Sequence, residues 1–249
     1  MIDELLSLRV VNVSESQRDH DLLRQAASIS HVPIELVEAD GAPTACRLLA
    51  GATDLVFIDG ALADDGINQV TAAARAAPNP AFTVLLSDTP AAPFPTDGLA
   101  AKPARLDEAK RLMNGAARVK LPSRVLIVDD SSTMRTIVRK ILKASRFPFE
   151  VTEVQQGIEA INLAREVAFD IIFLDYNMPG LSGLETMSEF RREKHDAIFV
   201  LMTSAQGDTI ADRALAQGAF FLKKPFFPAD IESMLCGFYG LHALNPQRA

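Results

Sequence analysis

Five residues in the second half of the chain carry side chains able to do chemistry together: Asp129, Asp130, Asp175, Thr203 and Lys224. Each stands at, or just beyond, the end of a short apolar run. Three carboxylates converging without a counter-ion repel one another, and one or more is driven to protonate. A hard divalent cation resolves the conflict, and magnesium suits one or two carboxylates completed by water and a phosphate oxygen. A lysine and a hydroxyl at the same place would supply what a transferred phosphoryl group needs. The lysine neutralises charge on its equatorial oxygens and the hydroxyl gives a hydrogen bond. A carboxylate in such surroundings can serve as a covalent nucleophile.

The elements that must bring these residues together follow from the pattern around them. Arg124 to Val128 is short, apolar and rich in β-branched residues, as a strand buried on both faces requires. Asp129-Asp130-Ser131 follows, then a helix with Met134, Ile137, Val138, Ile141 and Leu142 on a core face. Arg135, Arg139, Lys140 and Lys143 fall on the face expected to be solvated. Further strands are expected at Phe149–Val154, Asp170–Leu174, Ile198–Met202 and Phe220–Leu222. Helices are expected at 157–167, 184–193 and 208–217 and from Pro228. Strand and helix alternating five times imply a parallel sheet with helices on both faces. Ligands of such sheets gather outside the carboxyl ends of the strands, where the five residues lie.

The first half repeats this order in a worn form. Asp54-Leu55-Val56-Phe57-Ile58-Asp59 matches Asp170-Ile171-Ile172-Phe173-Leu174-Asp175 in character, and Lys102-Pro103 matches Lys224-Pro225. Asp59 precedes Asp175 by 116 residues and Val84 precedes Val200 by the same 116, which indicates an internal duplication. Ser87 precedes Lys102 by only 15 residues, whereas Thr203 precedes Lys224 by 21. Pro90, Pro93 and Pro95 crowd that shortened stretch, so no regular fourth helix is expected in the first half. The expected organisation is a first domain over 1–119, a linker at 120–123 and a second domain over 124–249.

Bulk properties agree with two globular domains and exclude several classes. The 249 residues are 48% hydrophobic and 23% charged, ample for two cores. A net charge of -7 argues against general binding to nucleic acid or to an anionic membrane surface. Cys46 and Cys236, far apart, are expected as buried thiols of different domains in a reducing cytoplasm. Asp3 and Glu4 stand where a secretion signal carries positive charge, and no apolar run approaches a membrane span. His20, His31, His195 and His242 lack metal-ligand spacing and read as surface or satisfied core residues.

Val128-Asp129-Asp130-Ser131, Asp175-Tyr176-Asn177-Met178-Pro179-Gly180, Thr203-Ser204-Ala205 and Lys224-Pro225-Phe226 together resemble the receiver domain of two-component response regulators. Val128 to Leu142 is similar to the chemotaxis members in particular. The resemblance spans the second half and implies a flavodoxin-like strand order, 2-1-3-4-5. It implies that Asp175 accepts the phosphoryl group and that Asp130 and Asp175 give carboxylate oxygens to magnesium. Asp129 would complete the acidic pocket, Asn177 would add its backbone carbonyl, and Thr203 and Lys224 would contact the phosphoryl oxygens. Phe221 would be the switch aromatic, with Phe220 as its rival, and Lys223 is a minor rival to Lys224.

The same resemblance implies a donor partner, a histidine kinase or a histidine phosphotransfer protein. It also implies self-catalysed phosphorylation and hydrolysis rather than turnover of a separate substrate. No effector domain is expected, so output would pass to a protein target or to a second copy. That output surface would be formed by the fourth helix, fifth strand and fifth helix of the second domain. A non-phosphorylated structural adaptor and a phosphate sink are the competing readings. An aspartate-nucleophile phosphatase ranks last, because such enzymes need an acid two residues after the nucleophile, where Asn177 stands. In the first domain Asp59, with Glu15, Ser87 and Lys102, forms a degenerate counterpart, expected to be structural or partner-docking, with metal-dependent phosphorylation of Asp59 as the alternative.

Overall fold

The structure is a computed structural model that describes residues 7–88, 94–204 and 208–242, without the side chains of 208–211. The sequence expectations placed on Asp3, Glu4, Pro90, Pro93 and Ala205 lie outside these residues.

Contacts divide the chain into two units, one formed by Met1–Lys120 with Leu235–Ala249 and the other by Leu121–Met234. The first unit contains β1 (Leu8–Val13), α1 (Gln17–Ser28), β2 (Ile34–Ala39), α2 (Ala42–Leu48) and β3 (Leu55–Asp59). It continues with α3 (Asp64–Ala76), β4 (Phe82–Leu86), β5 (Gly98–Ala100) and α4 (Leu106–Arg118). Its sheet is parallel, in the order β2-β1-β3-β4-β5. Among the described residues no helix connects β4 to β5, as the crowded prolines led one to expect.

The second unit contains β6 (Ser123–Val128), α5 (Ser132–Ala144), β7 (Phe149–Val154), α6 (Gly157–Ala164) and β8 (Ile171–Asp175). It continues with α7 (Gly183–Arg192), β9 (Ile198–Thr203), α8 (Asp208–Ala216), β10 (Phe220–Lys223) and the start of α9 (Pro228–Phe238). Its order, β10-β9-β8-β6-β7, is the same topology, again parallel throughout. Both units are therefore flavodoxin-like five-stranded sheets.

The duplication is visible in local chemistry as well. Arg9 donates its backbone N–H to the Asp54 carboxylate at 2.8 Å, and Arg124 does the same to Asp170 at 2.8 Å. These paired clamps fix the entry of each central strand against its neighbour. The core strands β3 and β8 are buried along their whole length, which explains why both read as unbroken apolar runs. One face of the first sheet packs Val11, Val56, Ile58 and Leu85 against Ala45, Ile67 and Val70. In the second sheet Leu126, Ile172 and Leu201 meet Ile161, Met187 and Phe190.

Two expectations need correction. On α5, Ile137 is 39% exposed while Arg135 is only 8% exposed, the reverse of the amphipathic reading. Cys46 is half-buried and Cys236 buried, neither in a disulfide, but Cys236 belongs by its contacts to the first unit. The division by contacts also counts the chain from Leu235 with the first unit, whereas the sequence reading gave all of 124–249 to the second. Tyr239 is fully buried, and its carbonyl lies against the backbone of Gly115 on α4, where a methyl group would come within 2.3 Å. His242 donates its backbone N–H to Leu99 of β5 at 2.6 Å. Neither contact has a local sequence signature, since both depend on chain packing some 125 or more residues away from its partner.

Candidate functional site

The second unit brings Asp129, Asp130, Asp175 and Lys224 together at the carboxyl ends of β6, β8 and β10. An oxygen from each of the three carboxylates lies within 4.8 Å of the others. Lys224 donates to Asp129 Oδ2 at 2.8 Å and to Asp175 Oδ1 at 2.7 Å. Asp129 and Asp175 are buried and Asp130 is exposed, so the cluster opens to solvent on the Asp130 side. Burial raises the Asp175 carboxyl above its ordinary value, and repulsion from Asp129 and Asp130 adds to it, against the opposing pull of Lys224. Burial works to depress the Lys224 ammonium, yet its two carboxylate partners hold it above its ordinary value. Three carboxylates gather around one lysine, which bonds two of them. The hard oxygen donors and the surplus of negative charge fit a divalent cation such as magnesium.

Local structure fixes each of these side chains. The Asp129 carboxylate accepts the Ser131 N–H at 2.9 Å, closing the turn, and Ser131 caps α5 by accepting from Met134. Gly183 lies so close to the Asp175 carbonyl that a Cβ there would meet it at 2.4 Å. Ser182 and Glu185 form a capping box that starts α7 beyond the loop after β8. Thr203 ends β9 fully buried, and its carbonyl accepts the Lys224 N–H at 2.7 Å, so the two residues share one register. The Lys224–Pro225 peptide bond is cis. Lys223 is exposed and takes no part in these contacts, while Lys224 points into the cluster. Asn177 is exposed in the loop after β8. Phe221 is partly buried against the core cluster that includes Leu201 and Ala214; Phe220 is also partly buried, on the opposite face of β10.

The first unit presents a different centre at the matching place. Asp59 accepts from Lys102 Nζ at 2.9 Å, from the Ser14 hydroxyl at 2.7 Å and from the Ala61 N–H at 3.0 Å. Lys102 also pairs with Asp19 at 2.7 Å. Burial works to raise the Asp59 carboxyl, but the Ala61 N–H, Lys102 and Ser14 together hold it below its ordinary value. Burial opposes the charge on Lys102 too, and hydrogen bonds to Asp19 and Asp59 keep its ammonium above its ordinary value. Glu15, expected as the acidic partner, is exposed; Asp19 of α1 takes that place. Ser87 ends up beside Gly60, where a Cβ would lie 3.3 Å from its hydroxyl. Asp19 sits one turn into α1 behind the cap residue Ser16, so its role depended on the angle of the helix, which sequence spacing does not give.

His20 is buried as a satisfied core residue, bonded to Asn12 at 3.0 Å and to the Ser14 carbonyl at 2.9 Å. The residue most clearly missed is Arg135, which was assigned to the solvated face and instead reaches the backbone behind Asp129.

The response regulator receiver domain family matches residues 125–236. Chemotaxis protein CheY-3 of Vibrio cholerae is 31% identical over 115 residues, covering 45% of this chain and 88% of that protein. The nitrate/nitrite response regulator NarP of Escherichia coli K12 is 34% identical over 121 residues, 48% of this chain and 56% of its own length. A solved two-component response regulator/GGDEF domain protein superposes over 93% of this chain and 98% of its own with a TM-score of 0.56 at 20% identity, which shows a shared fold. The chain belongs to the response regulator receiver family, with its family match in the second unit and a second receiver-like fold before it.

Proposed function

We propose that this chain is a tandem receiver protein in which Asp175 accepts a phosphoryl group and Asp59 does not. The observation that carries the proposal is the contrast in charge between the two centres. Around Asp175 the lysine bridges Asp129 and Asp175, Asp130 adds a third carboxylate within 4.8 Å, and the Asp175 carboxyl is raised. Around Asp59 the lysine bridges two carboxylates, a hydroxyl and an N–H complete the set, and the carboxyl is lowered. The Asp59 centre is already satisfied internally; the Asp175 centre is not.

Asp130 and Asp175 would hold magnesium through carboxylate oxygens, with the Asn177 carbonyl as a further donor and Asp129 completing the pocket. Bound there, the ion would neutralise charge on the transferring phosphoryl oxygens. An Asp175 oxygen attacks phosphorus as the bond to a partner's phosphohistidine nitrogen breaks. Lys224 turns from the Asp175 carboxylate to the new phosphoryl oxygens, and the Thr203 hydroxyl supplies a hydrogen bond. Phe221 repacks with that movement, and the surface around α8, β10 and the start of α9 changes its affinity for a protein target or a second copy. A few kcal/mol of differential binding suffices for such a population shift. The donor is a histidine kinase or histidine phosphotransfer protein of the cytoplasm. No helix among the described residues is long and apolar enough to cross a membrane.

Intact mass after incubation with acetyl phosphate and magnesium tests the reading. Wild type and Asp59→Asn should each gain one acid-labile phosphoryl group, and Asp175→Asn none. Labelling that survives in Asp175→Asn and disappears in Asp59→Asn would reverse the assignment.

A further inference from the structure

The two acidic residues that follow β6 sit on a turn, and a turn exposed on one side needs something behind it. That something is Arg135. Its side chain runs back from the first turn of α5 and is 10% exposed. Nη1 donates to the Asp129 carbonyl at 2.7 Å and lies 3.4 Å from the Asp130 carbonyl. Nε lies 3.4 Å from a Glu153 carboxylate oxygen on the neighbouring edge strand β7, and Arg139 shares that carboxylate at 3.1 Å. A buried guanidinium must be compensated, and here its compensation is the backbone of the acidic turn together with one carboxylate from β7. None of these partners is a carboxylate of the Asp175 cluster.

We propose that Arg135 is a positioning residue, which holds the peptide carbonyls of Asp129 and Asp130 on its own side so that their carboxylates meet Asp175. Three consequences follow from its chemistry. Nη1 alone reaches the two successive carbonyls while Nε, rigidly spaced from it, holds Glu153, a division of partners that a lysine's single ammonium makes poorly. Anchoring by Glu153 ties the turn to β7 as well as to α5, so the turn cannot rotate without moving a strand. The guanidinium also places a positive charge behind a cluster in which carboxylates outnumber lysines, easing their approach. Groups that hold ligand residues in this way commonly account for about 10–100-fold in metal affinity when removed.

The inference rests on the proposed reading of Asp130 and Asp175 as metal-holding residues, and its test separates the two. Magnesium affinity of the full chain is measured by titration calorimetry for wild type, Arg135→Met and Arg135→Lys. Amide hydrogen exchange of Asp129 to Ser131 is followed in the same proteins without metal. Arg135→Met should bind magnesium about 10–100-fold more weakly, with Arg135→Lys between it and wild type. Exchange should rise about tenfold at Asp129 to Ser131, as expected when a backbone restraint of this strength is lost, while amides of α7 keep their protection. A general loss of structure would instead raise exchange throughout the second unit. If Arg135→Met does not fold, Arg135→Lys carries the test. Wild-type affinity together with wild-type exchange in the variants overturns the positioning role. Wild type that binds no magnesium overturns the reading of the centre, and the exchange arm still decides for or against Arg135.

Discussion

Asp59 and Asp175 stand at the ends of equivalent strands, yet their surroundings push them in opposite directions. The Asp59 carboxyl is lowered from 3.8, so its contribution to stability is present above the unfolded value and is lost as pH falls through its folded value. Asp59→Asn is expected to weaken the first unit by about 1–3 kcal/mol at pH 7, the usual loss for a buried charge-assisted hydrogen bond. That difference should shrink on acidification, as thermal melts from pH 7 downward would show. The Asp175 carboxyl is raised from 3.8, so its ionised form opposes folding. The penalty is absent in acid and grows as pH rises through the folded value. Asp175→Asn is therefore expected to melt higher than wild type at pH 7 in EDTA. The two should converge in acid, and magnesium should raise wild type alone. Equal melting of the two proteins in EDTA at neutral pH would contradict the charge argument.

At the scale of elements, the start of α7 is what holds the end of β8 in place. Gly183 has no room for a side chain, because a Cβ would lie 2.4 Å from the Asp175 carbonyl and 2.9 Å from Leu201. Gly183→Ala is expected to destabilise the second unit by about 1–3 kcal/mol, as overpacking does, and to weaken magnesium binding by displacing Asp175. Urea unfolding and calorimetry would read the two effects. Ser182→Ala removes the capping box at the same helix start and should lower stability by about 1 kcal/mol while leaving the Asp175 carbonyl uncrowded. A smaller effect on magnesium than that of Gly183→Ala is then expected. The comparison separates a weakened helix end from a displaced acceptor.

For the whole molecule, the two units should respond differently to ligand and to truncation. Magnesium with beryllofluoride is expected to slow amide exchange in the second unit and to leave β1, β3 and β4 unchanged, because among the described residues three carboxylates gather around Asp175 and not around Asp59. Tyr239 offers the complementary test. It is fully buried against the first unit and stacks edge-on with Phe238 at 4.7 Å. Tyr239→Ala is expected to cost about 3–5 kcal/mol, with the rise in exchange at α4 and β5 rather than at β6 and β8. A change confined to β6 and β8 would place that residue in the second unit instead.

The sequence by itself determined the repeated strand–helix order, the two parallel sheets, the lack of a helix between β4 and β5 among the described residues and the gathering of Asp129, Asp130, Asp175 and Lys224. These follow from periodicity and from residues placed directly at strand ends, where the topology leaves little freedom. Only the tertiary structure decided that Asp19 rather than Glu15 meets Lys102, that Arg135 turns inward while Ile137 faces out, and that Tyr239 and His242 lie against α4 and β5. In each case the outcome depends on where a helix lies against its sheet. Helical spacing gives a face, but a long side chain reaches across faces to satisfy its charge, and the nearest carbonyl or carboxylate is known only once the layers are packed.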